Sequence, residues 1–382
     1  MTNWNINERI PLLQTLFKMP SSTSGSTSDV KIDFVDFKQR QFDTQVEEQQ
    51  TNFCKTDFCD TPDNSIDENK QFQYPIFHKG DEIKASECII LLHGLNERSW
   101  EKYLPWGDYL ANYTGKPVIM FPIAFHINRT PTSWHNPRSI MKWVLERNHR
   151  CGNPNNLTFA NLALSDRLSQ APERFYTSGR ETGLNIVQLI NEIQSGNHPY
   201  FKENTKIDFF AYSIGALLAQ VLFLSNPQKL FSHSRLFMFC GGSIFNEMNG
   251  NSRYIMDETS FKQMLNYYQN NFLSQPLNPS DCFNRAFRSM IDKKEDAAYR
   301  EGFFEQASDR IKVIALKKDF VIPTAGIRDA LGETCAKKCL TELDYPFEYS
   351  HETPFPAGKN APPEVNQMFN HVFSTAGDFL AQ

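Results

Sequence analysis

Short runs of apolar residues, separated by polar segments, organise the chain. Residues 30–37 alternate between apolar and polar positions, a pattern typical of a strand with one buried face. Later runs are almost continuously apolar and bounded by turn residues, which predicts strands buried on both faces, as in a parallel sheet. These runs lie at residues 88–92, 118–121, 207–210, 236–240 and 311–316, and residues 72–77 predict one further strand.

Helical periodicity occupies the segments between these runs. A capping box formed by Ser178 and Glu181 predicts that a helix begins at Ser178, with an apolar face that continues to residue 193. The same spacing predicts helices over residues 260–272 and 365–376. The alternation of strands and helices from residue 88 onward predicts an α/β fold, with a doubly wound, mostly parallel sheet and helices on both faces.

The domain organisation follows from where this alternation is interrupted. Residues 1–71 are predicted to be an N-terminal extension with a low-complexity linker at 21–29, a first strand and a long irregular connection over 38–70. Residues 72–382 are predicted to form one α/β domain. Two long insertions, about residues 122–176 and 243–309, are expected to form a helical cap over the strand ends.

Composition and charge exclude several classes of function. The net charge of −5 and the scattered basic residues argue against nucleic-acid binding. No run of eighteen apolar residues is present, so we expect no transmembrane segment. The N-terminus lacks the basic and apolar regions of a secretory signal, which predicts a cytoplasmic protein unless a signal peptide has been removed. Cys88 and Cys240 lie in apolar runs and are expected to be core thiols, and no metal site is predicted.

One segment combines a strand, a tight turn and a helix with a serine at the apex. The run ending at Phe210 leads into Ala211-Tyr212-Ser213-Ile214-Gly215, and an almost entirely apolar helical segment follows. A nucleophile elbow, G-x-S-x-G, has this form because only small residues fit beside the strained serine. A serine before a helix can also be a simple N-cap, so the motif alone leaves both interpretations open.

An acid and a histidine occupy comparable positions later in the chain. Ser213 and Asp319 follow predicted strands, and His351 follows residues 347–350, which we also take as a strand. The carboxyl ends of parallel strands meet at one edge of a sheet, where catalytic groups gather. The order serine, acid, histidine is the one that accompanies a nucleophile elbow. Ser213, Asp319 and His351 are therefore predicted to form a catalytic triad.

Other residues could take two of these roles. Glu247 follows the preceding strand and is the alternative acid, while His371 is the alternative histidine, although it lies within a predicted helix on its polar side. Asp319 could instead be an exposed turn residue, and His351 a surface histidine.

The chemistry of acyl transfer requires all three groups. A serine hydroxyl becomes a good nucleophile when a histidine removes its proton, and a carboxylate orients that histidine. The developing oxyanion needs hydrogen-bond donors. We expect the backbone N–H groups of Ile214, directly after the serine, and Leu95, in the turn after the strand at residues 88–92, to supply them.

Four segments carry a resemblance to a known superfamily. L-L-H-G-L, A-Y-S-I-G, K-K-D-F-V-I-P and Y-S-H-E resemble the motifs of the α/β-hydrolase superfamily, of serine esterase and lipase type, from about Phe72 to the C-terminus. Ala211 in place of the first glycine is the main departure. The resemblance implies a triad of Ser213, Asp319 and His351, and an oxyanion hole at Leu95 and Ile214. The unusual H-G-L-N-E-R-S-W and S-W-H-N-P-R segments resemble an uncharacterised α/β-hydrolase-like family.

Several residues are candidates for substrate contacts, namely Tyr212, Trp134, Phe261 and Met264. The aromatic stripe that includes Phe261 could line an acyl pocket, or it could only pack the cap on the body. Arg129, Arg138 and His135 could bind a polar part of a substrate, or they could form salt bridges within their loop.

These observations predict a serine hydrolase that cleaves a small-molecule or lipid-like carboxylic ester through an acyl-enzyme intermediate, without a cofactor. The same triad could instead cleave a thioester, an amide or a carbon–carbon bond. A non-catalytic binding protein that has kept the elbow is the third possibility. Nothing in the sequence gives the oligomeric state.

Overall fold

The computed structural model describes residues 4–19, 25–26, 30–40, 61–80 and 84–382. In this part of the chain, nine strands form one sheet in the order β1-β2-β3-β5-β4-β6-β7-β8-β9. In chain order the strands β1 to β9 are Gly25–Ser26, Lys31–Lys38, Gln71–His78, Ala85–Leu92, Val118–Met120, Phe201–Tyr212, Leu236–Phe239, Ile311–Leu316 and Leu340–Leu343. The α/β class predicted from the sequence is confirmed.

The sheet is mixed rather than uniformly parallel. The pairs β1–β2, β2–β3 and β3–β5 are antiparallel, whereas the pairings of β4 with β5 and β6, and those from β6 through β9, are parallel. Apart from the edge strand β9, the parallel strands contain the short, nearly continuous apolar runs, as expected for strands covered on both faces. Their carboxyl ends, which carry the candidate site, lie at one edge.

Helices cover both faces of this sheet. In chain order α1 to α13 are Ile6–Leu16, Asp67–Lys70, Leu104–Thr114, Pro137–Cys151, Leu162–Gln170, Arg174–Gln194, Ile214–Ser225, Glu258–Asn266, Asn284–Ser289, Ala297–Gln306, Thr324–Leu331, Glu333–Cys339 and Pro363–Leu380. Among these, none is both long and apolar enough to span a membrane.

Alternate side chains of β4 enter two separate cores. Ile90 and Leu92 pack with residues of α6 and α7 on one face. Ile89 and Leu91 pack on the opposite face, with Trp106 of α3 and residues of α13. Because successive side chains of a strand point to opposite faces, a strand between two helical layers needs apolar residues at every position. Cys88 and Cys240 are both buried, as predicted.

One predicted helix begins at a different residue from the one expected. The helix expected to begin at Ser178 begins at Arg174, so Ser178 lies inside α6. Glu181 makes no capping box; its Oε1 atom accepts hydrogen bonds from Asn69 Nδ2, at 2.6 Å, and from Arg129 Nη2, at 3.2 Å. The Ser-x-x-Glu pattern is present in the sequence, but the Glu181 carboxylate accepts hydrogen bonds from residues far away along the chain instead of capping the helix.

The N-terminal extension holds more structure than its polar composition predicted. Helix α1 was not predicted, and it is anchored by the buried side chains of Ile6 and Leu13 and by Arg9, which pairs with the buried Asp108 of α3. Most of the predicted linker, and residues 41–60 of the predicted irregular connection, lie outside the described residues.

A buried ion-pair cluster joins the two segments predicted to form a cap. The first insertion contains α4 and α5, and the second contains α8, α9 and α10. Arg147 of α4 donates from Nη1 to Asp166 of α5 at 2.5 Å and from Nε to Asp257 at 2.5 Å. Asp257 is also the N-cap of α8. One arginine thus connects three helices of the two insertions, and both aspartates are fully buried.

We expect Arg147→Met to lower the free energy of unfolding by about 3–5 kcal/mol, because it leaves two buried carboxylates without their shared cation. Urea denaturation followed by circular dichroism measures the effect. Arg138, exposed on the same helix, provides the matched control, since Arg138→Met should change stability by no more than about 0.5 kcal/mol. Equal losses in the two variants would contradict the role given to Arg147.

Candidate active site

Ser213 lies at a strained turn between β6 and α7. Its backbone has φ 56° and ψ −124°, a conformation that non-glycine residues rarely adopt. Gly215 stands where the helix approaches the preceding loop: a Cβ atom there would lie 2.7 Å from the carbonyl oxygen of His93 and 2.8 Å from that of Leu92. Only glycine fits at this position, as a tight strand–turn–helix requires.

A second glycine supports the same turn from the neighbouring strand. Gly241 follows β7, and a Cβ atom on it would lie 2.9 Å from the backbone nitrogen of Ser213 and 2.6 Å from the Cβ of Ala216. The backbone N–H of Ser213 donates to the carbonyl of Phe239 at the end of β7, at 3.3 Å. The end of β7 therefore holds the backbone of Ser213 in place.

The structure brings Ser213, His351 and Asp319 together in one hydrogen-bonded row. Ser213 Oγ lies 2.7 Å from His351 Nε2, and His351 Nδ1 lies 2.8 Å from Asp319 Oδ2. Since a carboxylate only accepts, the Nδ1 atom of His351 carries the proton and Nε2 faces the serine hydroxyl as an acceptor. Each of the three residues is 4% exposed, so the row is almost entirely shielded from solvent.

Asp319 is fixed by its own backbone surroundings. Its Oδ1 atom accepts hydrogen bonds from the N–H groups of Val321, at 2.9 Å, and Ile322, at 2.8 Å. This leaves Oδ2 for His351. Asp319 follows β8 as predicted, separated from it by two lysines.

His351 does not directly follow a strand, contrary to the prediction. Residues 347–350 are not a strand, and β9 ends eight residues earlier, at Leu343. The loop is held instead by aromatic side chains, because Tyr345, Phe347 and Phe355 are buried in the core. Tyr212 also donates from its hydroxyl to the carbonyl of His351 and stacks on the imidazole, with ring centroids 5.4 Å apart.

The turn after β4 presents backbone donors beside the serine. The N–H of Gly94 donates to the hydroxyl of Tyr103 at 2.9 Å, and this hydroxyl donates to Glu97 at 2.7 Å. By contrast, the N–H groups of Leu95 and Ile214 donate to no acceptor in the described ranges. These two amides are the ones predicted for the oxyanion hole, and both are available to a ligand.

His93 holds this turn from inside and stays neutral. Its Nδ1–H group donates to the carbonyl of Gly94 at 2.8 Å, and its Nε2 atom accepts from the N–H of Ile123 at 2.9 Å. Burial lowers the pKa of His93 well below its ordinary value, and the neighbouring His126 lowers it further. The imidazole is a structural brace rather than an acid–base group.

Asn96 ties the turn to both predicted cap segments. It has a left-handed backbone, with φ 60°, and its side-chain Nδ2 group donates to the carbonyl of Ala160 at 2.9 Å and to that of Tyr254 at 2.6 Å. Ala160 belongs to the first insertion and Tyr254 to the second.

A polar cleft opens over Ser213 and His351. It encloses about 1010 Å³ between atoms, including its opening to solvent, and Tyr212 lies in its wall. The charged side chains along it are Glu97, Arg98, Lys102 and Glu352. Glu352 accepts a hydrogen bond from the Ser252 hydroxyl; burial would raise the pKa of Glu352, but this bond and the neighbouring His351 lower it overall.

A second pocket is apolar and is walled in part by Leu95 and Ile214, the residues that carry the two free amides. It encloses about 580 Å³, and the side chains of Leu95 and Ile214 belong to its wall. The remaining apolar wall comes chiefly from α6, α7 and α9, with Phe175, Leu217, Leu218, Val221, Phe283 and Phe287. Ser213 lines the polar cleft, its neighbour Ile214 lines the apolar pocket, and Leu95 lines both.

Three predicted substrate contacts lie elsewhere and are not brought to the site. Trp134 packs with Ile140 and Val144 in a separate small core. Phe261 and Met264 pack into the main core, so the stripe on α8 attaches the cap to the body. These side chains are absent from the described walls of both compartments.

The alternative residues also lie away from the serine. His371 is exposed on α13, and Glu247 stands beside Gly326 of α11. Arg129 is fully buried and pairs with Glu181, and His135 lies 2.6 Å from the Thr130 hydroxyl. His135 thus makes a contact within its loop, whereas the partner of Arg129 lies on α6, outside the loop.

Sequence reasoning missed most of the walls of the site. Phe175, Phe283 and Phe287 come from two segments far apart along the chain with no shared motif. Glu97, Arg98 and Lys102 lie within or just after H-G-L-N-E-R-S-W, the segment already noted as unusual, which was the available signal. Among the described residues, no group of three or more His, Cys, Asp or Glu is arranged to hold a metal ion.

Comparison with known proteins gives one family match and distant structural similarities. The model of a family of unknown function, DUF6051, matches residues 15–381. No curated protein sequence matches the chain significantly. Similar solved structures include one of two fungal esterases from Rhizomucor miehei, at 12% identity, covering 98% of this chain and 89% of that chain with a TM-score of 0.48.

Two further solved structures are similar over almost the whole chain. Carboxyl esterase 2 from Tuber melanosporum is 8% identical, with 98% of this chain and 96% of that chain covered and a TM-score of 0.44. The hyperthermophilic esterase from the archaeon Pyrobaculum calidifontis is 12% identical, with 97% and 89% covered and a TM-score of 0.42. All three TM-scores are below 0.5, so the function proposed below depends on the geometry of the site.

We expect Gly241→Ala to destabilise the protein by about 1–3 kcal/mol, because the added methyl group overlaps the backbone of Ser213. Thermal and urea denaturation measure the loss. Gly302 of α10 has nothing within 4 Å of its missing Cβ, so Gly302→Ala should stabilise by about 0.5–1 kcal/mol through helix propensity. A Gly241→Ala variant as stable as the wild type would show that the turn is not tightly held.

Proposed function

The chain belongs to the family of unknown function DUF6051, and we propose that it is a serine hydrolase that cleaves carboxylic esters through an acyl-enzyme intermediate. The observation that carries this proposal is the row from Ser213 Oγ to His351 Nε2, at 2.7 Å, and from His351 Nδ1 to Asp319 Oδ2, at 2.8 Å. A serine, a base within hydrogen-bond reach and an orienting carboxylate are the geometric signature of an activated nucleophile.

The fold supports the same proposal. The nucleophile, acid and histidine occur in the chain order that accompanies a nucleophile elbow, on the carboxyl edge of the parallel strands. The mixed sheet, flanked by helices on both faces, fits an α/β-hydrolase fold.

In the acylation step, His351 Nε2 takes the proton of the Ser213 hydroxyl as its oxygen attacks the ester carbonyl. Asp319 holds the imidazole in the required tautomer and stabilises the imidazolium. The N–H groups of Leu95 and Ile214 donate to the oxygen as it becomes negative. His351 then gives its proton to the alcohol, which leaves, and the acyl group remains on Ser213.

In the deacylation step, water replaces the alcohol. His351 removes a proton from the water molecule, the hydroxide attacks the acyl carbonyl, and the same two amides stabilise the second oxyanion. Return of the proton to Ser213 releases the carboxylic acid. No other group is needed for the atoms to balance.

The two compartments assign the two sides of the ester. The apolar pocket shares Leu95 and Ile214 with the oxyanion site and is lined by aromatic and aliphatic side chains, so we assign it to the acyl group. The polar cleft contains His351, which protonates the leaving alcohol, so we assign it to the alcohol.

We expect wild-type protein to react with a fluorophosphonate probe and to hydrolyse p-nitrophenyl esters, and Ser213→Ala to do neither, because the serine oxygen is the nucleophile. Asp319→Asn should lower kcat by about 10⁴-fold while leaving the fold intact. Gel fluorescence and p-nitrophenolate release are the measurements. Ser139→Ala, at an exposed serine, is the control and should behave as wild type.

Two outcomes would change this proposal. A wild-type protein that is neither labelled nor active on any ester chain length would make the row of residues non-catalytic. A protein that is labelled, but turns over only thioester or amide probes, would keep the nucleophile and correct the bond that is cleaved.

We expect Gly179→Leu to lower kcat/KM for long acyl chains while sparing acetate esters, because the new side chain would occupy the apolar pocket. Gly179 lines this pocket, and nothing lies within 4 Å of its missing Cβ. Kinetics with p-nitrophenyl acetate, butyrate and octanoate give the profile. Gly302→Leu, also helical and unobstructed but distant from the pocket wall, should keep the wild-type profile. An unchanged profile in Gly179→Leu would place the acyl group elsewhere.

A further inference from the structure

We infer that Arg98 recognises an anionic group, a carboxylate in the simplest case, on the alcohol side of the ester. This inference depends on the proposed function and adds the chemical class of the leaving alcohol. It is carried by the position of the guanidinium group, by the absence of a hydrogen-bond or ion-pair partner for it among the described residues, and by the pairing of the other charges in the cleft.

The guanidinium group of Arg98 stands at the wall of the polar cleft. Its central carbon lies 5.4 Å from the ring centroid of Phe159, and both side chains line the cleft that contains Ser213 and His351. An aromatic ring beneath a guanidinium leaves the edge of the fork, with its N–H groups, free to meet a planar anion.

Arg98 has unused hydrogen-bonding capacity. Its Nη1 atom is buried, yet no acceptor within the described ranges takes its hydrogens, and no carboxylate there forms an ion pair with it. Buried N–H groups are nearly always satisfied in folded proteins, and a cation gains most from a charged acceptor. Burial also lowers the pKa of Arg98 from its ordinary value, as expected for a cation without a counter-ion.

The other charged groups near the cleft cannot supply that counter-ion. Lys102 pairs with Glu97, which also accepts from Tyr103, and Glu352 accepts from Ser252. Burial, together with the charge of Arg98, lowers the pKa of the nearby His135 to about 4, so His135 is neutral at pH 7. One positive charge therefore remains for a ligand.

The position of this charge assigns it to the leaving group. Arg98 lines the same compartment as His351, which delivers the proton to the departing alcohol. It also lines a neighbouring cavity beside His135, but it does not line the apolar pocket. A carboxylate on the alcohol can meet the guanidinium while the acyl chain occupies the apolar side. A fork-shaped donor and a planar carboxylate form two parallel hydrogen bonds.

The test compares two esters that differ only in charge, p-carboxyphenyl hexanoate and p-carbamoylphenyl hexanoate. Release of the phenol is followed by absorbance. We expect wild-type kcat/KM to favour the carboxylate ester by about tenfold or more, the scale of a hydrogen bond to a charged group. Arg98→Gln should remove this preference, with the loss appearing in KM for the carboxylate ester rather than in kcat.

Matched variants separate a specific contact from general attraction. Arg253 is exposed in the loop beside Tyr254, and Arg253→Gln removes the same charge there, so it should keep the preference. Arg98→Lys keeps the charge without the fork and should retain only part of it. Wild-type hydrolysis of both esters at equal rates, or equal losses in Arg98→Gln and Arg253→Gln, would overturn the inference while leaving the esterase proposal intact.

A binding measurement makes failure of the two proposals distinguishable. Calorimetric titration of the Ser213→Ala protein with p-hydroxybenzoate and p-hydroxybenzamide requires no turnover. Tighter binding of the benzoate, lost in Ser213→Ala/Arg98→Gln, would support the inference even if the wild type hydrolysed neither ester. Equal affinities for the two compounds would overturn it.

Discussion

The strained backbone of Ser213 is the constraint on which the site depends. A non-glycine residue at φ 56° and ψ −124° costs free energy of about 1–3 kcal/mol, and it persists only where the surroundings hold it. Three close contacts do so here. Gly215 allows α7 to meet the carbonyls that end β4, Gly241 allows β7 to meet the serine's own backbone, and the Phe239 carbonyl accepts its N–H. This backbone conformation directs the Ser213 hydroxyl toward His351.

The remaining groups reach this hydroxyl by different physical means. Asp319 is placed by the end of β8 and fixed by two backbone N–H groups. His351 comes from a long loop that has no strand to direct it, and aromatic packing takes the place of regular structure. Tyr212, next to the serine, contributes to that packing and holds the histidine backbone by its hydroxyl. Ser213 and His351 are thereby both held at the end of β6.

The elements that could be predicted from the sequence are those with a distinctive local pattern of apolar residues. The continuous apolar runs predicted the parallel strands, and for β8 the bounds agree to the residue, because burial on both faces leaves a pattern that few other structures produce. Strand β9, L-T-E-L, has exposed and half-buried positions at the edge of the sheet and left no such signal. Helix α1 is held by contacts with distant elements, which local periodicity does not contain.

The same distinction applies to the candidate site. Ser213, Asp319 and His351 could be proposed from motifs and order, and the structure brings the three together. The residues that line the two compartments could not be predicted, since a pocket is formed by residues far apart along the chain. Trp134, Phe261 and Met264 were chosen for their chemistry, but their apolar surfaces are used in packing the cap. An aromatic stripe predicts that its side chains are buried, but it does not predict which element they pack against.

Asn96 couples the position of the two insertions to that of the Leu95 amide. Its side chain holds one carbonyl from each insertion, and its backbone continues directly from the amide of Leu95. An outward movement of either insertion must break one of these hydrogen bonds or drag the adjacent amide with it. The position of the Leu95 amide in the turn after β4 therefore depends on contacts with residues that lie 64 and 158 positions from Asn96 along the chain.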